Sequence, residues 1–487
     1  MGIAKTFLIF GLMCWASMLP AQNPANLPDL GGTSTRLMPI EQEMTFARDF
    51  ERYMRANNML IEDPLIRDYF EDMGFRLVAQ SDRRDGSFHF FVLRENSINA
   101  FASVAGVIGL HAGLILLAED ENEVAGVVAH EIAHVTQDHL ARGMENQQQV
   151  SMPAMIATLG LAIAASAAGN ADAGQALMLG GMGLSQQMMI NHTRSAEMEA
   201  DRIGIALLGH AGFDPEGMTR FFERMNIRGR AMGQGPPEYL RTHPLSINRV
   251  AEARSRAQDL VNPRARMAPS EEFHFVQSRL RVLMSRRMDH TIRWFEARLE
   301  NGGRPPLAMH YGMALALSKE ARMDDAIRHL NILLDQAPEL QIVRLLQAEM
   351  LLAAGKTERS LDVLEALYNQ FPGSRKVTSQ YAETLMHGDK SAHAAQASAI
   401  LRPYLRRHPT DLRMTQLYAQ AADRSGDVIR AAEAVADSYY LRGGVKEAID
   451  QLERVRERDD LDYYERARIG ARLRELRSEQ LRLVSRP

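Results

Sequence analysis

Cysteine is almost absent from this chain of 487 residues: Cys14 is the only one. It falls inside an N-terminal segment with the pattern of a cleaved leader, so the mature protein is expected to carry neither thiol nor disulfide. That excludes a disulfide framework and thiol redox chemistry. A lipid anchor on Cys14 is excluded as well, because Gly11-Leu12-Met13 does not place the required small residue beside it. Charge of one sign is also lacking. The 57 Lys and Arg against 61 Asp and Glu leave a net charge of −4, which gives no general attraction to nucleic acid, and no base-reading module is present. The apolar runs at 7–19 and 153–168 are shorter than the ~20 residues of a spanning helix.

What is present begins with that leader. Lys5, the apolar run from Phe7 to Leu19 and then Pro20-Ala21 form the charged, hydrophobic and cleavage regions of a secretory signal, predicting export with cleavage after Ala21. A hydrophobic content of 46% with 24% charged residues is globular composition, and the length accommodates two or three domains. Residues 22–40 read as an extended lead-in. Apolar spacing predicts helices over 41–57 and 64–80, and strands over 88–93 and 100–108 interrupted by Asn and Gly turn signals. The stretch 119–142 reads as one helix with an acidic N-terminal end. Residues 153–190 form an uncharged then Met-rich pair of segments broken by Gly169 to Gly174. They fit a helical hairpin, either packed in the core or acting as a lid over a cleft, with peripheral membrane contact as a further expectation.

Within the helix predicted over 119–142 stands His130-Glu131-Ile132-Ala133-His134. Residues i and i+4 share a helix face, so His130 and His134 present two imidazoles one turn apart, at the spacing a single zinc ion requires. Glu131 is rotated about 100° away and is placed to act on water rather than on the metal. The chemistry implied is zinc-dependent peptide hydrolysis. His139 falls on a different face by helical spacing and reads as a structural residue. A catalytic zinc site needs a third protein ligand. Glu197 and Asp201 lie one turn apart in Glu197-Met198-Glu199-Ala200-Asp201, so Glu197 can bind metal while Asp201 orients a ligating histidine; Glu199 reads as a solvated neighbour.

Beyond a proline-bearing linker at 263–270 the chain changes character. Ala314, Ala326, Leu330, Leu333 and Pro338 recur 34 residues later as Ala348, Ser360, Leu364, Leu367 and Pro372. A third copy follows as Ala382, Ala397, Leu401, Tyr404 and Pro409, a looser fourth passes through Ala419 and Ala431, and 267–300 reads as a degenerate leading unit. This is the tetratricopeptide period, and such arrays hold other proteins. The expected architecture is α+β and mostly helical: a leader (1–21), a zincin-type metalloprotease domain with a small sheet (22–262) and an α-solenoid of repeats (263–487).

HExxH followed by the ExEADxxG segment from Glu197 to Gly204 resembles the metalloprotease family that includes the membrane protease HtpX and the CAAX prenyl protease. The leader, Leu-Arg-Thr-His-Pro-Leu at 240–245 and the repeats narrow the resemblance to the periplasmic β-barrel assembly-enhancing proteases, over essentially the whole mature chain. The resemblance implies one Zn2+ held by His130, His134 and Glu197, with Glu131 activating water. It also implies His243 as a fourth ligand, a latch that closes the water position; from spacing alone, His243 is equally a loop residue that stabilises an oxyanion. It further implies outer-membrane β-barrel substrates such as LptD, and BamA as a partner met through the repeats. Asn99 to Ala102 resembles the strand at the edge of the family's active-site sheet, where an extended substrate can pair; an ordinary core strand is the other reading.

Overall fold

Apolar residues at helical spacing in the N-terminal region give helices that pack on a small sheet. The computed structural model describes residues 39–83, 88–103, 105–140, 142, 194–231, 237–260, 270–302, 305–388 and 390–484. The leader, the segment 153–190 and nearly all of the 263–270 linker lie outside the described residues. Helix α1 (Ile40–Ala56) precedes α2 (Pro64–Val78). Asp63 caps α2 by accepting from the amides of Leu65 and Ile66, and Pro64 occupies the first turn, where no amide donor is needed.

Strands β1 (His89–Leu93), β2 (Ala100–Ala102) and β3 (Val107–His111) form a sheet of order β1-β3-β2, with β1 parallel and β2 antiparallel to β3. The strand region expected over 100–108 is divided at its glycine turn signal into two strands. Gly106, at φ 70°, donates its amide to Ser103 O at 3.1 Å and turns the chain back, so Ala102 pairs with Ile108 instead of continuing toward it. β3 is buried along its whole length, while β2 is left at the sheet edge.

Helix α3 (Ala112–Leu117) leads into α4 (Glu121–Thr136), capped by Asp120 through the amides of Asn122 and Glu123. The helix expected to run to 142 stops at Thr136, because Asp138 takes a left-handed conformation at φ 50°. Residues 121–135 are all buried. Helices α5 (Arg194–His210), α6 (Glu216–Ala231), α7 (Glu238–Thr242) and α8 (Ile247–Leu260) complete this half. The approach of α6 to α4 depends on Gly126, where an added Cβ would lie 2.7 Å from Met218 Cα. The approach of α5 depends on Gly204, whose Cβ would meet Met218 Cε at 2.8 Å and the His130 amide at 3.1 Å.

The C-terminal half is a run of antiparallel helix pairs: α9 (Glu271–Leu283) and α10 (Met288–Glu300), α11 (Pro306–Lys319) and α12 (Met323–Gln336), α13 (Gln341–Ala353) and α14 (Thr357–Gln370). They continue as α15 (Arg375–Leu385) and α16 (Ser391–Arg407), α17 (Leu412–Arg424) and α18 (Val428–Leu441), α19 (Val445–Arg456) and α20 (Tyr463–Val484). The small residues at the 34-residue spacing are buried where paired helices cross; Ser360 donates its hydroxyl to Ala348 O at 2.8 Å. The array packs on the sheet-bearing half rather than trailing from it. Gln277 caps α3 by donating to the carbonyls of Ile115 and Ala118, Arg375 pairs with Asp68 and Glu71 on α2, and Arg52 on α1 meets Glu479 on α20 at 2.6 Å. Among the described residues no helix is long and apolar enough to cross a membrane.

Candidate metal centre

Because α4 is capped firmly by Asp120 and buried on every side, His130 and His134 are held one turn apart with little freedom. Their Nε2 atoms face each other at 3.0 Å. Helix α5 brings Glu197 to the same point: its Oε1 lies 3.4 Å from His134 Nε2 and its Oε2 3.5 Å from His130 Nε2. His243, immediately after α7, closes the group, with Nδ1 3.0 Å from Glu197 Oε1 and 3.3 Å from His130 Nε2. One ligand atom from each of the four residues lies within 4.8 Å of all the others, and all four side chains are buried. Two imidazole nitrogens facing one another, a carboxylate and a third imidazole make a donor set suited to a tetrahedral N and O ion, zinc above all.

The charges point the same way. Burial would lower His130, yet the Asp201 and Glu197 carboxylates outweigh it and raise the imidazole to about 9. Burial would raise Glu197, but the His243 charge and the hydrogen bonds of His130, His134 and His243 hold it well below the usual carboxylate range. A buried centre that draws a proton this strongly is built to receive positive charge. These residues therefore fit a metal ion.

Glu131 does not join the cluster. It is almost fully buried, its Oε1 has no hydrogen-bond partner among the described residues, and that oxygen lies 3.5 Å from His243 Nε2. Asp201, one turn after Glu197, is 3.0 Å from His130 Nδ1, the ring nitrogen facing away from the centre.

Arg249 is a residue the motifs did not indicate. Its Nε and Nη2 grip Asp201 at 2.7 and 2.8 Å, and its Nη1 reaches Glu197 Oε2 and Pro244 O, both at 2.8 Å. One guanidinium thereby ties the third donor, the histidine-orienting carboxylate and the loop carrying His243. Its only trace in the sequence is indirect: two acids on one face of α5 require a buried counter-charge. Burial opposes the Asp201 charge, but Arg249 and then His130 keep it below its ordinary value.

His139 and Glu199 also differ from their sequence reading. The break at Asp138 redirects the chain, so His139 Nδ1 comes to 2.9 Å from His134 Nδ1 while its Nε2 lies 3.0 Å from Glu199 Oε2. Helical spacing placed His139 on another face because it assumed an unbroken helix. Tyr239, fully buried, stacks on His243 with ring centroids 4.6 Å apart, and its carbonyl accepts the His243 amide at 2.9 Å. Its own amide donates to Ile98 O at 3.1 Å, which ties the His243 turn to the segment ahead of edge strand β2. β2 also lies against α4, so the side of the sheet that is unpaired among the described residues borders the helix bearing the two histidines.

Comparison with known proteins agrees with this geometry. Residues 64–257 match peptidase family M48, and residues 343–374 match a tetratricopeptide repeat. A Vibrio cholerae relative is 34% identical over 495 residues, covering 99% of both chains. The β-barrel assembly-enhancing protease of Yersinia pestis is 33% identical, covering 94% of this chain and 93% of its own. That of Escherichia coli K12 is 32% identical, covering 95% of this chain and 93% of its own. With both the metalloprotease half and the repeats matched in one alignment, the chain belongs to the β-barrel assembly-enhancing proteases of peptidase family M48.

Proposed function

We propose that this metalloprotease is a zinc-dependent endopeptidase of the periplasm that promotes assembly of outer-membrane β-barrel proteins and degrades those that stall, LptD among them. The observation that carries the reading is the convergence of His130, His134, Glu197 and His243 beside a buried Glu131 whose Oε1 accepts no hydrogen bond among the described residues. The leader pattern at 1–21 supports export, and the relatives' names support the substrate class. BamA is the proposed partner, recruited through the repeats.

When bound, zinc supplies Lewis acidity to the scissile carbonyl and to water. Glu131 takes a proton from the attacking water as its oxygen bonds to the carbonyl carbon, then returns that proton to the leaving nitrogen as the C–N bond breaks. Asp201 holds His130 by the ring nitrogen facing away from the centre, and Arg249 holds Asp201 and Glu197 together, so the donors need not reorganise during the reaction. Beside the centre, β2 offers an edge unpaired among the described residues, on which an extended substrate can be laid. His243 sits between Glu131 and Glu197, the place incoming water needs, and so holds the enzyme off until its loop withdraws.

That position of His243 also favours a second reading, an assembly chaperone that binds barrel precursors while its protease stays latched. Glu131→Gln tests the first. Hydrolysis of an unfolded β-barrel substrate is expected to fall by about 10²- to 10⁴-fold with metal content unchanged. Near-normal hydrolysis by the metal-loaded variant overturns the assignment of Glu131. An assembly effect fully retained without hydrolysis supports the chaperone.

A further inference from the structure

Away from the metal centre, helices α16 to α20 line a pocket of about 310 Å³ that is open to solvent, with Arg402 and Arg406 exposed at its rim. Its lining carries five arginines, Arg402, Arg406, Arg430, Arg468 and Arg472, against two carboxylates, Glu433 and Asp437. In a chain of net charge −4 this surplus is local. Both carboxylates are already taken. Glu433 is gripped by Arg468 at 2.6 and 2.9 Å, and Asp437 by Arg472 at 2.9 and 3.1 Å. The other three guanidiniums are left with little. The carboxylate recorded near Arg402 is Asp427 at 4.0 Å, and Arg430 shares the occupied Glu433 at 3.7 Å. Among the described residues no carboxylate lies within ion-pair distance of Arg406. Leu405, Pro409 and Leu452 form an apolar wall to the same space.

Guanidinium forks beside an apolar wall select a ligand that carries an anion and a hydrophobic group together. A bare phosphate satisfies the first requirement and leaves the wall wet. The volume sits at the small end of ligand pockets, about 300 to 1,000 Å³, so it suits one residue at a chain end better than a segment running through. We propose that this cavity binds the C-terminal residue of an extended polypeptide, with its α-carboxylate on Arg402, Arg406 and Arg430 and its apolar side chain against Leu405, Pro409 and Leu452. The site is then a second point of grip on a protein client, on the far part of a fold class whose usual work is protein binding. It is independent of what the metal centre does.

The test uses full-length Glu131→Gln protein, which prevents cleavage, and a rhodamine-labelled hexapeptide of glycine and serine ending in leucine, read by fluorescence anisotropy. The free-acid peptide is expected to bind and its C-terminal amide to bind about tenfold more weakly, the loss of one charged hydrogen-bond partner. Arg406→Ala and Arg430→Ala should each weaken the free acid by a similar factor with unchanged circular dichroism. Arg406 has no ion pair to lose, so its variant separates binding from folding. Equal binding of acid and amide overturns the proposal, as does no binding by folded protein at millimolar peptide. An amidated peptide with an internal glutamate that binds as tightly assigns the cavity to acidic side chains and overturns the chain-end reading. Displacement by equimolar inorganic phosphate reduces it to a general anion site and overturns it too.

Discussion

The Nδ1 atoms of His139 and His134 lie 2.9 Å apart, and this contact sets the proton on a metal-facing imidazole. With Nε2 of His134 turned to the centre, its proton belongs on Nδ1, which donates to Nδ1 of His139. His139 must then carry its own proton on Nε2, where it donates to Glu199 at 3.0 Å. Burial lowers His139 despite Glu199, consistent with the neutral ring this arrangement needs. The centre therefore has two supports: Asp201 with Arg249 behind His130, and His139 with Glu199 behind His134.

His139→Ala is expected to weaken metal retention by about 10- to 100-fold, the usual cost of losing a hydrogen-bond partner of a ligating histidine. His139→Asn, which keeps an acceptor, should recover part of it. Competition against a chromophoric chelator measures both, and wild-type affinity in His139→Ala would remove the supporting role.

His243→Ala should raise hydrolysis severalfold at equal metal loading, because the ring leaves the space between Glu197 and Glu131. Turnover and metal content must be measured on the same sample. A loss of turnover with metal retained would instead favour the oxyanion role.

Gly126→Ala should destabilise the fold by about 1–3 kcal/mol, since its Cβ would stand 2.7 Å from Met218 Cα and backbone cannot step aside. Gly209→Ala is the control on a neighbouring helix. There the nearest atom is Pro215 Cγ at 3.6 Å, so the alanine should stabilise by about 0.4–1 kcal/mol. Denaturant midpoints of the two variants should move in opposite directions.

Stability of the repeats should fall as pH drops from about 6.5 toward 4. His310 and His329 meet Nδ1 to Nδ1 at 2.8 Å, a contact that requires one donor and one acceptor ring. Burial, then the His310 and Arg328 charges, lower His329 from 6.5 to about 4, with Asp325 opposing. The unfolded chain thus takes up the proton first, and the difference is spent once pH reaches the folded value. His329→Gln should flatten the melting temperature over this window, and an unchanged slope would discount the pair.

Some features were legible because local geometry enforces them. His130 and His134 needed only an α-helix to share a face, and so did Glu197 and Asp201. The repeat period put Ala348, Ser360 and Leu364 in the core without knowledge of their neighbours, since each helix pair packs mainly on the next. In the stretch 100–108 the glycine turn signal is present in the sequence, but only the structure shows that Gly106 folds β3 back onto β2 instead of interrupting one strand. Helical spacing cannot place His139 beside His134, because the left-handed Asp138 ends the helix between them.

The sequence by itself determined which side chains would face one way on each helix, since periods of 3.6 and 34 residues are written locally. Only the tertiary structure decided what those faces meet. Arg249 reaches Asp201 and Glu197 across 48 and 52 positions, and His243 comes to Glu197 across 46, with no periodicity linking them. These contacts follow from close packing of α5 on α4, at a distance allowed by Gly204, and of α8 on α5. A buried carboxylate must find a counter-charge, but which one it finds depends on which helix the chain brings alongside.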